Sequence, residues 1–277
     1  MEIGVCVKRV PMVGGKIVVT PDGQDVDTRM SGFTVSPHEE CAVEEGVRIV
    51  ERLGGSVTVL TLGPPEAAGQ LRDMLALGAG RALLLATDGR EWGPVATAAA
   101  IADAARRRAE GPDGGYDLLL FGNEAADTGD YQVAVRVAHA LGLPCVTGIK
   151  NLEIEAGPGG AGDADRAGDA GGAGGGAARA RARREYRGVQ EIFDIPLPAV
   201  ISVKEGINLP RYPSLPGRLR AKRAVIECFE PRWHGEGLRK ERLRVPEGEQ
   251  KRAQILGTGP DAVPALVRLL DELGVLP

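Results

Sequence analysis

Apolar positions along the first half of the chain fall into two alternating periods. IGVCVKRV (Ile3 to Val10) is a continuous apolar, β-branched run, as expected of a strand buried on both faces. SVTVLTLG (Ser56 to Gly63), RALLLA (Arg81 to Ala86) and YDLLLFG (Tyr116 to Gly122) repeat it. Between these runs the apolar residues recur at helical spacing. They do so after Ser36-Pro37-His38-Glu39, with Val43, Val47 and Val50, and again over Pro65 to Leu77, Val95 to Arg108 and Asp130 to Leu141. Ser36 suits an N-cap, Pro37 the first helical position, and Glu39 completes a capping box. KIVVT (Lys16 to Thr20) followed by PDG predicts a small strand and turn. Strand–helix alternation predicts parallel strands joined by right-handed crossovers, which makes an open, mostly parallel, doubly wound α/β sheet.

The pattern changes after Ile149. NLEIE (Asn151 to Glu155) and REYRGVQEI read as two antiparallel strands forming a small extension. The segment between them, Ala156 to Arg183, is nearly free of large apolar residues and predicts a mobile loop. Its arginines, Arg179, Arg181 and Arg183, and the adjacent Arg184, give only weak support to a binding role. PAVISV (Pro198 to Val203) is a further strand, and NLPRYPSLPGRLRAKR (Asn208 to Arg223) reads as a stiff exposed loop that presents a leucine and then positive charge. The rest is polar until a helix at Ala262 to Leu273, whose Val263, Leu266, Leu269, Leu270 and Leu273 form an apolar face. That face could pack on a neighbouring chain or on its own domain. The expected division is residues 1–226 as an α/β nucleotide-binding domain, with a flexible insert at 156–183, and residues 227–277 as a polar arm ending in an amphipathic helix.

Composition narrows the function classes. With 277 residues the chain is long enough for one large domain, and a net charge of −4 with mixed signs gives no global pull toward nucleic acid or membrane. Aromatics make up only 4%, too few for a single-strand stacking platform. No apolar run approaches a membrane span, and the first residues read as a strand rather than a signal peptide. Cys6, Cys41, Cys145 and Cys228 are scattered, with neither disulfide nor metal spacing, which fits reduced thiols and a cytoplasmic location.

Ligands of an open parallel sheet bind at the carboxyl ends of its strands. The richest loop there is GNEAADTGDYQVA, after the fourth strand. Gly122 and Gly129 permit close backbone approach, and a helix starting near Asp130 would offer N–H groups of Tyr131, Gln132 and Val133 to an anion. Glu124, Asp127 and Asp130 could accept from ribose hydroxyls; a capped helix start with solvated acids is the equally weighted bland alternative. No GxxxxGK[ST], GxGxxG after a strand, GxSxG or HExxH occurs. His38, His139 and His234 read as surface or satisfied core residues, and Cys6 as a buried inert thiol. The residues thus describe a nucleotide-binding protein without catalytic side chains of its own.

Five blocks, VCVKRVP, SPHEECAVEEGVRI, VTVLTLGPPEAAGQLRDMLALGAGRALLL, DLLLFGNEAADTGDYQVAVRVAHALGLPCVTGI and LPAVISVKEGINLPRYPSLPGRLRAK, together resemble the β subunit of an electron transfer flavoprotein. The resemblance covers most of residues 1–226. It implies a sheet of the adenine-nucleotide-binding type and a heterodimer with an α subunit that carries most of the FAD. In the β subunit it implies AMP, or a second FAD in electron-bifurcating members. Implied partners are acyl-CoA or other flavin dehydrogenases and a quinone oxidoreductase. The implied nucleotide site is Cys6, Ser36, Leu62, Gly122, Asp127, Gly129, Tyr131, Gln132, Val133 and Ala134. Val13 falls where many relatives place a tyrosine near the α-subunit flavin. The implied recognition segment is Tyr212, Leu215, Arg218 and Arg220, with Leu215 as the inserted anchor. The rival class is a universal-stress-type nucleotide-binding protein, which would need no α partner.

Overall fold

The chain's computed structural model describes residues 1–12, 17–88, 92–155, 178–235, 237, 240–245 and 255–275. In order, the elements are β1 (Glu2–Cys6), β2 (Val10–Pro11), β3 (Phe33–Thr34), α1 (Pro37–Leu53), β4 (Ser56–Gly63), α2 (Ala68–Leu77), β5 (Arg81–Ala86) and α3 (Pro94–Glu110). There follow β6 (Leu118–Gly122), α4 (Val133–Leu141), β7 (Cys145–Ile149), β8 (Asn151–Glu155), β9 (Arg179–Tyr186) and β10 (Val189–Pro196). Last come β11 (Ala199–Val203), α5 (Leu215–Arg223), β12 (Glu227–Phe229) and α6 (Val263–Glu272).

Seven strands form one parallel sheet in the order β12-β5-β4-β1-β6-β11-β7. Successive strand residues point to opposite faces, so each strand feeds two cores. On one face Ile3, Val5, Val57, Val59, Leu118 and Leu120 pack with α1 (Val43, Val47) and α2 (Leu71, Leu75). On the other, Cys6, Leu60, Leu119 and Phe121 meet α3 (Ala98, Ile101, Ala105) and α4 (Val137, Ala138). Fully burying a leucine such as Leu118 or Leu120 contributes about 1.5–3 kcal/mol, which is why apolar residues dominate these runs, with Thr58 and Thr61 of β4 as buried polar exceptions. The doubly wound architecture follows from the alternation in the sequence.

Several local expectations change. β1 stops at Cys6, and Val10–Pro11 pairs instead with Phe33–Thr34. In the expected strand at Lys16 to Thr20, Lys16 lies outside the described residues; Val19 makes only an isolated bridge to Val26. The antiparallel extension has three strands, in the order β10-β9-β8. REYRGVQEI is the turn of a hairpin, with Arg187 and Gly188 both at positive φ. Arg179 to Arg183, expected as loop, lie in β9: Ala180 and Ala182 face inward with no exposure while the arginines between them face outward. Arg181 pairs with Asp194 of β10 at 2.9 Å and Arg183 with Glu153 of β8 at 3.4 Å, so both are cross-strand partners within the extension. Residues 227–229, assigned to the arm, add the seventh strand beside β5.

α5 replaces the second half of the expected loop. Ser214 caps it, accepting from the Gly217 N–H at 3.1 Å, and Pro216 sits in its first turn, where a missing N–H costs nothing. A Cβ on Gly217 would stand 2.8 Å from the Ala76 carbonyl oxygen, so glycine lets α5 lie directly on α2. α6 has no buried residue, and Val263, Leu266 and Val267 remain about half exposed.

Candidate functional site

The chain enters the sheet at β1, steps outward through β4 and β5, and then crosses back to β6 on the other side of β1. The strand order reverses there, so a crevice opens beyond the carboxyl ends of β1 and β6. Three segments meet at it: the residues after Cys6, the start of α1, and the loop from Gly122 to α4.

The start of α1 fixes the crevice wall. Ser36 N–H donates to Glu39 Oε2 at 3.3 Å, and the buried Ser36 side chain faces the Glu39 N–H, so the two halves of a capping box meet here. Glu39 is buried and also accepts from the backbone N–H of Lys8. Burial holds its carboxyl up to about 7 against the opposing pull of those hydrogen bonds. Gly122 packs directly on this helix start: a Cβ there would lie 2.7 Å from Glu39 Cγ and 3.2 Å from Glu39 N. Cys6, on the neighbouring strand, is pushed well up by burial first and by Glu39 second, so it is no nucleophile. Leu62, at the end of β4, packs its side chain into the α3/α4 layer.

The loop after β6 differs from the expectation. α4 begins at Val133 rather than Asp130, and Asp130 Oδ1 accepts from Gln132 N–H at 2.8 Å. Gln132 N–H is therefore not free for an anion. Gly129, at φ +62, donates to the Ala125 carbonyl at 2.7 Å and closes a tight turn. The three acids expected to meet ribose all have protein partners. Glu124 accepts from the Tyr131 hydroxyl and lies 3.5 Å from His38 Nε2; Asp127 pairs with Lys8 at 2.7 Å. Lys8 and His38 are the residues the sequence reading missed here. Lys8 reduces the acidic field that would oppose a phosphate. Cys6, Ser36, Gly122, Asp127, Gly129, Tyr131 and Gln132 thus gather around one edge, with Val133 and the buried Ala134 in the first turn of α4. Val13 lies outside the described residues.

The close backbone approach at Gly122 and the first turn of α4 fit a nucleotide. No cluster of metal-ligating side chains occurs among the described residues.

A second surface lies on the α1/α2 face. Tyr212 and Leu215 are 96% and 72% exposed, and Arg218, Arg220, Lys222 and Arg223 follow on α5. Below them a cavity of about 620 Å³, away from the crevice, opens between Met74 and Leu77 of α2 and the Leu209–Pro213 segment.

Comparison with known proteins agrees with this geometry. The family model for the electron transfer flavoprotein domain matches residues 26–232. The chain is 31% identical over 230 residues to the electron transfer flavoprotein subunit beta of Bacillus subtilis, covering 83% of this chain and 79% of that one. It is 34% identical over 231 residues to the subunit of the same name from Mycobacterium tuberculosis strain H37Rv, covering 81% and 77%. It is also 35% identical over 150 residues to the acryloyl-CoA reductase electron transfer subunit gamma of Anaerotignum propionicum, covering 53% and 54%. With the sheet order, the crevice and the match over most of its length, the chain belongs to the electron transfer flavoprotein family.

Proposed function

We propose that this chain is the β subunit of a heterodimeric electron transfer flavoprotein, passing electrons from flavin dehydrogenases, acyl-CoA dehydrogenases among them, to a quinone oxidoreductase or similar acceptor. The observation that carries the reading is the pairing of a nucleotide-type crevice at the sheet's switch point with an exposed leucine at the head of a basic helix. FAD, held mainly by the α subunit, supplies the redox chemistry when bound. This chain's residues bind and orient. Ser36 and the start of α4 hold a nucleotide at the crevice, AMP in the leading reading, with Gly122 keeping the backbone close. Leu215 inserts into an apolar pocket of the dehydrogenase, and Arg218 and Arg220 draw its acidic surface in. The half-exposed apolar face of α6 packs on the α subunit, and the complex works in the cytoplasm.

A second reading, in which the β crevice holds a redox-active FAD, is favoured by the similarity to the acryloyl-CoA reductase subunit. Releasing and separating the nucleotides of the purified heterodimer distinguishes the two. One FAD and one AMP support the simple carrier, and two FADs support the second reading. A preparation with no nucleotide beyond the α-subunit flavin overturns the crevice assignment. In the same preparation Leu215→Ala should slow reduction by the dehydrogenase at least tenfold at low concentration while flavin content stays constant, the size expected for an anchor side chain in a desolvated pocket.

A further inference from the structure

The segment from Glu205 to Pro213, which leads from β11 to α5, is neither strand nor helix and carries Leu209 and Tyr212 almost fully exposed. Such a segment would ordinarily be mobile. Here it is tied down along α1. Glu205 N–H donates to His38 Nδ1 at 3.2 Å, Asn208 Nδ2 to the Cys41 carbonyl at 3.0 Å, and Arg211 N–H to Glu44 Oε2 at 3.2 Å. Each pair is 167 positions apart, so segment and helix advance in steps of three together. Ile207 N–H donates to the Lys204 carbonyl just before the segment; among the described residues, the long-range hydrogen bonds that leave the segment between Glu205 and Pro213 run to α1.

Arg211 makes the heaviest of these ties. Its Nε and Nη2 reach the two oxygens of Glu44 at 2.9 and 3.1 Å, and its Nη1 and Nη2 reach Glu51 at 2.6 and 2.9 Å. Glu44 is buried, with only 3% exposure, and Arg48 holds its other side at 3.2 Å. A planar fork engaging two carboxylates fixes orientation as well as distance, which a lysine cannot do. Asn208 adds a bond to Glu45 at 2.9 Å.

We propose that Arg211, seated on Glu44 and Glu51, is a positioning residue that holds the Leu215 segment in its docking conformation before a partner arrives. The proposal rests on the reading of Leu215 as the docking anchor. A segment ordered in advance leaves less conformational entropy to be lost on binding. Arg211 touches no reacting atom, and its effect belongs in the affinity for the partner rather than in the electron-transfer step.

The test uses the purified heterodimer and a dehydrogenase from which the unaltered protein accepts electrons. Amide hydrogen exchange of peptides spanning 205–214 is measured in the free heterodimer, and KM and kcat with the heterodimer as acceptor are measured alongside. Arg211→Gln should speed exchange across the segment and raise KM about tenfold, with kcat and FAD content unchanged, equivalent to ~1.4 kcal/mol. Arg211→Lys, which keeps charge but not the fork, should fall between. If Arg211→Gln strands Glu44 and the chain fails to fold, Glu51→Gln removes the outer half of the fork without leaving a buried charge, and should shift both readouts the same way by less. Unchanged exchange in the Arg211 or Glu51 variant overturns the proposal. So does faster exchange with unchanged KM while Leu215→Ala raises KM. A Leu215→Ala heterodimer with an unaltered KM overturns the docking reading itself, and the proposal falls with it.

Discussion

Glu39 sits between the Ser36 and Lys8 amides at the start of α1, and its burial has a consequence for stability. Its ordinary value is 4.5 and its folded value about 7. Between those pH values the unfolded chain has released a proton that the folded chain keeps. Stability therefore falls as pH rises through that window and is level above it, by at most about 3 kcal/mol at 1.36 kcal/mol per unit. Glu39→Gln should remove this component: the urea midpoint of the unaltered protein should drop between pH 5 and pH 7.5 relative to the variant's. Parallel profiles would show that Glu39 is ionised in the fold. Residues of this kind were half legible in the sequence. Ser36 and Glu39 lie three positions apart, and a local cap leaves a local signature. Lys8 and Asp127 lie 119 positions apart, and nothing in either segment marks the pairing. Gln132 N–H was misjudged because Asp130 reaches forward to bond it, a choice between two overlapping caps that spacing alone does not settle.

Among the elements, the β8–β9 hairpin shows why one strand start was missed. Alternation is present in Arg179-Ala180-Arg181-Ala182-Arg183, but alanine is too small to announce an inward position after a run of glycine and alanine. Glu155 and Arg179 pair directly, so the connection leaves and rejoins the extension at adjacent points. Replacing residues 157–177 by a four-residue turn should therefore keep the fold. Shortening the connection by roughly two doublings of its length should even stabilise it by about 1 kcal/mol, or a few degrees in Tm. A fall of ten degrees or more in calorimetry would show that the segment carries packing the pairing does not require. α5 was missed for a different reason. Three prolines and a low apolar content suggest a loop, yet Ser214 and Pro216 form a good helix start, and the docking of Gly217 on Ala76 supplies the tertiary support that propensity lacks.

For the molecule as a whole, strand–helix alternation was sufficient to predict the doubly wound sheet, because burial on both faces leaves uninterrupted apolar runs. Two strands of the sheet were not read from the sequence: β7, five residues with glycine and threonine inside, and β12, which spans three residues and pairs with the β5 edge. Charge is distributed unevenly. The chain is net negative, while the last turn of α5 concentrates Arg220, Lys222 and Arg223 close to Leu215. If that helix steers a dehydrogenase, the second-order rate of reduction should fall by about tenfold between low and physiological ionic strength, as the Debye length shortens to about 8 Å. Neutralising Arg218 and Arg220 together should flatten the salt dependence; an unchanged slope in stopped-flow measurements would place the steering elsewhere.

The three ties between α1 and the segment before α5 also bear on how this family can change length. Residues added or removed between β8 and β9 alter the separation of 167 without disturbing a single tie, since both ends of the hairpin stay where they are. One residue added between Glu205 and Arg211 has the opposite effect: it slides Arg211 past Glu44, and the anchor after it is presented from the wrong place. Tolerance to insertion therefore differs sharply between two stretches that look equally loop-like in the sequence, and drift in length should collect in the first and spare the second.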